Sequence, residues 1–352
     1  MGRFGSRVGA DASLPRRNLL IGGLALAAAA CQNNAPLTAS DSRPMKLDAL
    51  EAEVGRIADR CRPGVLGVGL MNLENLETWL LNGERPFPMQ SVAKLPLGAA
   101  VLAEMEAGHL RLDEVVQVQE TDLSPPFSPV ADAWPQRTQW TVRELLAEAV
   151  GQSDNTAADL LMRRVGGPGA ITAWLVSERI EEVRLDRYAR ELQPQSVGLM
   201  PFRSAWRGEA AYLQAITAVP PAQQQAATAR YMADPQDTAT PRGMLNFLQK
   251  LDSGQLVSPA SAQLLLTLLK QNTAGATRLR AGLPPNASLF HKSGTSRTIQ
   301  GVNPATNDVG VFTLPNNRSY AIAVFLSGTS LDGVALDQII AEIARAAVRA
   351  AG

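Results

Sequence analysis

The chain has 352 residues, with 33 basic and 33 acidic side chains and a formal charge of zero. That balance gives no electrostatic argument for a nucleic acid or an anionic surface as partner, and the length suits one large domain or two with an ample core. Two histidines and two cysteines poorly supply a His-rich metal site, a Ser-His-Asp triad or a disulfide framework. No Cys/His cluster or glycine-rich phosphate loop appears either, so no metal or cofactor is expected.

Residues 1–31 read as an export signal. Arg16-Arg17 precede an apolar run from Leu19 to Ala30 that ends at Cys31, too short and alanine-rich for a membrane span. The twin arginine points to export of the folded chain and so to the periplasm. Cys31 admits two readings: a lipid anchor, or ordinary cleavage after an Ala-x-Ala site, the first weakened by Ala28 where a larger aliphatic residue is usual. If Cys31 is lipidated or removed, Cys61 has no partner for an intrachain disulfide. Residues 32–45 read as a polar tether, and 46–352 as the folded domain.

Within that domain Leu47, Leu50, Val54 and Ile57 mark an amphipathic helix over 47–60. Val65–Leu70 reads as a buried strand with Glu77–Leu81 as its hairpin partner. A long apolar helix follows from Ser91 to Leu110, then helices over 141–150, 154–165 and 168–178. Residues 187–237 form a long connection in which Glu209–Ala218 and Ala222–Met232 suit short helices, with Pro220-Pro221 between them. A loop of this length is more often functional than not. Helices follow near 241–251, 258–271 and 273–280, strands near 287–293, 307–314 and 319–327, and a final amphipathic helix over 333–349. Strands at both ends with helices between them imply a sheet lobe interrupted by an all-helical lobe.

Three short motifs carry chemistry. Ser91-Val92-Ala93-Lys94 places a hydroxyl and an amine one helical turn apart on one face. A neutral lysine there can take the serine proton and turn a weak nucleophile into a strong one. Ser153-Asp154-Asn155 lies 62 residues on, and Lys292-Ser293-Gly294 139 beyond that. Ser-x-x-Lys alone is weak and Lys-Ser-Gly alone nearly meaningless, while Ser-Asp-Asn is also good helix-capping chemistry. The three in this order are strong. Of only five lysines beside 28 arginines, two fall in the motifs, and a lysine can lose its proton where an arginine cannot. His109 suits a helix end, and His291 would face away from Lys292 on a strand.

In this order the motifs resemble class A β-lactamases and the related penicillin-binding proteins. Phe87-Pro88-Met89-Gln90-Ser91-Val92 and Ala305-Thr306-Asn307-Asp308-Val309-Gly310 are similar to the extended-spectrum, PER-like branch. Thr141–Leu146 followed by Ser153–Ala158 resembles the family's central helices. The resemblance spans roughly residues 46–350. It implies an α/β (α+β) fold, an antiparallel sheet lobe flanked by helices plus a helical lobe, and a small β-lactam as the partner of a monomer. It implies Ser91 as nucleophile and Lys94 as its base or a member of a proton network. Ser153 would relay a proton to the leaving lactam nitrogen, and Asn155 would bond the substrate's side-chain amide. Lys292 would supply charge from a strand that continues through Ser293 and Gly294. The Thr295 and Ser91 N–H groups would form an oxyanion hole, with the Thr295 and Ser296 hydroxyls on the substrate carboxylate. Arg278 aligns with a carboxylate-binding arginine, with Arg280 as its competitor, and Phe127 with the aromatic wall of the cleft.

The same resemblance makes 187–237 an omega loop more than twice the usual length, closed by an ion pair that Arg187 and Asp237 would match. One expected residue is missing. Ala189 stands where the family has the glutamate that activates the deacylating water, and Gln193 where an asparagine holds it. Glu191 comes two residues late and would normally face outward. A shifted register would bring Glu191, or Glu209, inward, and Glu191 is the surrogate expected here. Three functions compete: a serine β-lactamase slow in deacylation, a D-alanyl-D-alanine peptidase or acyltransferase of the penicillin-binding type, and a covalent β-lactam sensor. The absence of a membrane-spanning signalling part disfavours the last.

Overall fold

A computed structural model describes residues 44–270 and 275–352. The export signal and most of the tether fall outside the described residues. Five strands form one antiparallel sheet: β1 Val65–Asn72, β2 Thr78–Leu81, β3 Ser288–Thr295, β4 Thr306–Thr313 and β5 Ser319–Ser327. Their spatial order is β2-β1-β5-β4-β3, so the C-terminal strands pair directly with β1 and leave β3 as a free edge. Helices fill the chain between β2 and β3, as the element order predicts.

Each face of the sheet has its own core. On the outer face Leu66, Val68 and Leu70 of β1 join Ile322, Val324 and Leu326 of β5 beneath the helices Leu47–Arg60 and Gly333–Ala351. The first of these helices buries Leu50, Val54 and Ile57, spaced four and three apart along one stripe. On the inner face the alternate positions of β1 are Gly67 and Gly69. A Cβ at Gly67 would lie 2.4 Å from the Phe87 ring, and one at Gly69 2.8 Å from Leu245. The missing side chains therefore let Phe87 and the helix Pro241–Asp252 press onto the sheet. Phe87 is fully buried and stacks on Phe325 with ring centroids 5.7 Å apart, a pairing worth about 0.5–1.5 kcal/mol beyond the area buried.

The helix expected from Ser91 begins as a 3-10 turn, Gln90–Ala93, and continues as Lys94–Glu106. Its first nine residues, Lys94 to Leu102, are all buried, as befits a helix apolar on every side. The helix expected over 141–150 runs as Val142–Leu146 and then widens into a π segment, Ala147–Gln152. The long connection holds the two expected helices, Glu209–Thr217 and Pro221–Ala233, the second opened by proline at its first position. It also holds a helix the sequence reading treats as loop, Ala189–Ser196. Of the helix expected over 273–280, residues 273 and 274 lie outside the described residues, and helix appears only at Leu279–Gly282. Cys61 is buried and free. Burial pushes its thiol up to about 11, which makes it inert. Among the described residues no helix is long and apolar enough to cross a membrane.

Candidate active site

Ser91 sits in the 3-10 turn at the head of helix Lys94–Glu106, clamped against the free edge of the sheet. A Cβ on Gly294 of β3 would lie 2.5 Å from Met89 O and 3.1 Å from both Ser91 N and Val92 N. Only glycine lets the edge strand lie against the backbone of this serine. Asn307 on β4 ties the same turn down, its Nδ2 donating to Pro88 O at 2.9 Å and Met89 O at 3.1 Å. Ser91 itself is half-buried and borders both an open cleft and a recess behind it.

Two buried lysines converge beside it. Lys94 Nζ donates to Ser153 O and to Asn155 Oδ1 at 2.7 Å, and lies 3.5 Å from Ser153 Oγ. Lys292 Nζ donates to the same Ser153 Oγ at 2.9 Å and to Ser293 O at 3.1 Å. One hydroxyl oxygen thus stands between two amines. Lys94 is 4% and Lys292 0% exposed. Burial lowers Lys94 to about 8 against the opposing pull of Asp154 and Asp159. Burial first, then the charge of Lys94, lowers Lys292 well below its ordinary value. Two ammonium groups sharing one hydroxyl in a dry site are mutually unfavourable, so the arrangement favours one neutral amine, a competent proton acceptor.

Ser153 reaches this position because the π segment ends there with Ser153 in a left-handed conformation, φ 66°. For a non-glycine residue that costs about 1–2 kcal/mol. Asp154 supplies the compensation. Its carboxylate accepts Ala157 N at 2.8 Å, Ser128 Oγ at 2.9 Å and Val130 N at 2.7 Å. Asp154, rather than Ser153, is therefore the cap of the helix Asn155–Arg164, and the Ser153 hydroxyl is released to the lysines. Asn155 is clamped as well, donating from Nδ2 to Pro125 O at 3.0 Å and from N to Phe127 O at 3.0 Å. Phe127 stands 58% exposed at the cleft mouth.

The edge strand presents donors. Ser296 N points inward to Ala305 O at 2.9 Å. Backbone direction alternates along a strand, so Thr295 N–H points out from the free edge, next to Gly294, against which the Ser91 turn packs. Of the two arginines proposed for a carboxylate, Arg278 is the one beside the site. It is 7% exposed, donates from Nη2 to Thr295 Oγ1 at 2.7 Å and from Nη1 to Asn307 O at 3.0 Å, and pairs with Asp337 at 2.6 Å. It grips the Thr295 hydroxyl rather than lining the cleft. Arg280 turns away, to Ala287 O at 2.7 Å and Pro284 O at 2.6 Å.

The model of the β-lactamase enzyme family matches residues 49–351 of this chain. The chain belongs to that family. Beta-lactamase VEB-1 from Pseudomonas aeruginosa is 28% identical over 283 residues, covering 80% of this chain and 83% of its own. The extended-spectrum beta-lactamase PER-1, also from Pseudomonas aeruginosa, is 29% identical over 289 residues, covering 81% and 82%. Among solved structures, the ancestral class A β-lactamase of Gram-negative bacteria superposes with a TM-score of 0.70 at 34% identity, covering 86% of this chain and 99% of that one. The fold is accordingly the transpeptidase-like fold of class A β-lactamases.

The connection 187–237 borders the recess behind Ser91. Its ends are clasped: Asp237 Oδ1 accepts Asp186 N at 2.8 Å and Arg187 N at 3.0 Å, and Oδ2 accepts Arg187 Nε at 2.6 Å. The helix Ala189–Ser196 is pinned at its start by the fully buried Asp159, which accepts Ala189 N at 2.6 Å and Arg190 N at 3.0 Å. This pinning turns Ala189 into the recess behind Ser91, beside Lys94, Asn155 and Gln193. Glu191, the expected surrogate, does not join them. It is exposed, and its Oε2 accepts Tyr188 N at 3.0 Å, closing a capping box on its own helix. Glu209 reaches the cleft wall, but both its oxygens pair with Arg297 at 2.7 Å, and that pairing holds its carboxyl below the usual range. The sequence reading missed Asp159, Arg297 and the relay Gln193 Nε2 to Gln90 Oε1 at 2.9 Å and Gln90 Nε2 to Tyr231 Oη at 2.6 Å. Only Arg297 had a signal, its place just after the Lys-Ser-Gly strand.

Proposed function

We propose that this chain is a serine β-lactamase that forms its acyl-enzyme on Ser91 and releases it slowly. The observation that carries the reading is the Ser153 hydroxyl held between two buried lysine amines beside Ser91. Lys94, neutral in part near pH 8, takes the Ser91 proton as Oγ attacks the lactam carbonyl. The oxyanion is met by the Ser91 and Thr295 N–H groups. Ser153 then passes a proton to the departing nitrogen. Asn155 and Phe127 hold the side chain of the substrate, and Lys292, Thr295 and Ser296 its carboxylate, with Arg278 steadying Thr295. Residues 187–237 act as an enlarged omega loop that sets Ala189, a residue unable to deprotonate water, at the place of the deacylating base. The leader at 1–31 and the tether at 32–45 assign the folded domain, as a monomer, to the periplasm. Intact-protein mass spectrometry after mixing with benzylpenicillin tests the core of this reading. One adduct is expected, abolished by Ser91→Ala, and an adduct surviving that substitution overturns the assignment.

The missing base also favours a second reading, a protein that binds β-lactams covalently without useful turnover. A burst of one equivalent with no steady phase would select it.

A further inference from the structure

The turn that carries Ser91 is braced from two sides by different parts of the molecule. On the sheet side Asn307 Nδ2 donates to Pro88 O and Met89 O, the two residues before Gln90. Gln90 itself is held by the long connection. Its backbone is left-handed, φ 51°, a conformation that a non-glycine residue keeps only where its surroundings enforce it. Its side chain is buried and both ends of the amide are taken. Oε1 accepts Gln193 Nε2 at 2.9 Å, and Nε2 donates to Tyr231 Oη at 2.6 Å. Gln193 belongs to the helix Ala189–Ser196 and Tyr231 to the helix Pro221–Ala233. The two helices are fastened to each other, with Thr228 Oγ1 donating to Ser196 O at 3.3 Å and Gln223 Nε2 to Gly198 O at 2.7 Å. Tyr231 is buried too, and burial raises its hydroxyl above the ordinary value, so it stays a neutral phenol.

The peptide after Gln90 carries the Ser91 N–H. Rotation about either backbone bond of Gln90 would swing that N–H, and would also swing the Gln90 side chain off both partners. The clamp and the donor therefore move together. We propose that Tyr231 is a positioning residue for acylation: through Gln90, its hydroxyl fixes the peptide that points the Ser91 N–H at the oxyanion. The inference rests on the reading of Ser91 as the acylated nucleophile. The oxyanion hole is then assembled from two bodies, Thr295 N–H on the edge strand and Ser91 N–H on a turn set by the connection 187–237. That connection contributes to bond formation at Ser91, independently of the residue at 189.

The experiment compares stopped-flow acylation by nitrocefin in the native protein and in Tyr231→Phe, which keeps the ring and removes only the hydroxyl. The limiting acylation rate is expected to fall about tenfold, part of the roughly 10²–10³-fold that follows outright loss of an oxyanion donor. The dissociation constant of the substrate should stay within about twofold. Phenylboronic acid, whose boron adds Ser91 Oγ and sets an oxygen in the hole, should lose affinity by the same factor as the rate. Tyr212→Phe is the control. It removes a buried hydroxyl without a hydrogen-bond partner from the same connection, and should leave both readings unchanged. Gln90→Gly takes a positive φ freely but has no side chain to hold. Its acylation should already be slow, and adding Tyr231→Phe should slow it no further. A Tyr231→Phe protein that acylates within about twofold of native overturns the proposal. So does a loss of equal size when Tyr231→Phe is added to Gln90→Gly, which is an effect of loop packing. Weaker substrate binding at an unchanged limiting rate overturns it as well. Where Tyr231→Phe does not fold, Gln90→Gly decides alone, and acylation within about twofold of native overturns the proposal. Absence of any Ser91 adduct in the native protein is a different result and sinks the nucleophile assignment itself.

Discussion

Gly294→Ala removes no functional group yet should disable acylation. The added Cβ would lie 2.5 Å from Met89 O, about 0.9 Å inside ordinary contact at 3.4 Å, and 3.1 Å from Ser91 N and Val92 N. All three neighbours are backbone atoms of the turn that carries Ser91, so none can rotate aside. Asn307 holds that turn from the other flank, which leaves β3 to move. Overpacking of this kind costs about 1–3 kcal/mol, a fall of a few degrees in Tm. The larger effect is on geometry, because Thr295 N–H moves with β3 while Ser91 N–H stays. Loss of one oxyanion donor costs roughly 10²–10³-fold in rate. Stopped-flow acylation with nitrocefin should show a drop of about a hundredfold. Gly69→Ala is the control: its Cβ meets the Leu245 side chain at 2.8 Å, far from the oxyanion hole, and should lower Tm without a matching loss in acylation. A Gly294→Ala protein that acylates within about threefold of native refutes the reasoning, as does an equal loss in the control.

Acylation should also respond to pH. Lys94 acts as base only when neutral, and burial lowers it to about 8, so the acylation rate should climb as pH rises and level off above that value. A rate flat from pH 6 to 9 would exclude this role. Arg278→Ala frees the Thr295 hydroxyl from a charged hydrogen bond worth about 1.5–3 kcal/mol, and kcat/KM for acylation should fall about tenfold, whereas Arg280→Ala should leave it unchanged. Glu191→Gln should leave deacylation as it is, since Glu191 caps its own helix on the exposed side. Ala189→Glu should accelerate deacylation by about 10²–10⁴-fold, read as the lifetime of the adduct.

The parts of this structure written in short-range pattern were legible in the sequence. Leu50, Val54 and Ile57 place the first helix, and the strand–helix–strand order gives the two lobes. Ser91, Lys94, Ser153 and Lys292 come together as their motifs imply, because each motif fixes a local geometry and the sheet brings the pieces to one edge. What was not legible depends on partners distant in sequence. The helix Ala189–Ser196 is anchored by Asp159, 30 residues earlier, and contains Pro194, which reads as a breaker. The outward turn of Glu191 follows from that anchor. The pairing of Glu209 with Arg297 spans 88 residues, and no local signal announces it. The π widening before Ser153 has no periodicity to betray it, since Ala147–Gln152 fits an ordinary helix equally well.

The clasp between Arg187 and Asp237 makes the stretch between them a replaceable cassette. The chain leaves and returns at one fixed point, its two ends joined across 50 residues by hydrogen bonds that none of the intervening residues supplies. Closing a loop grows costlier only with the logarithm of its length, about 0.6 kcal/mol for each doubling. A lineage can therefore lengthen or shorten this segment, or exchange its helices, without moving Asp237 or the chain beyond it. Natural variation among relatives should then concentrate between the two ends and spare the ends themselves, and a graft joining them through a shorter loop should still close.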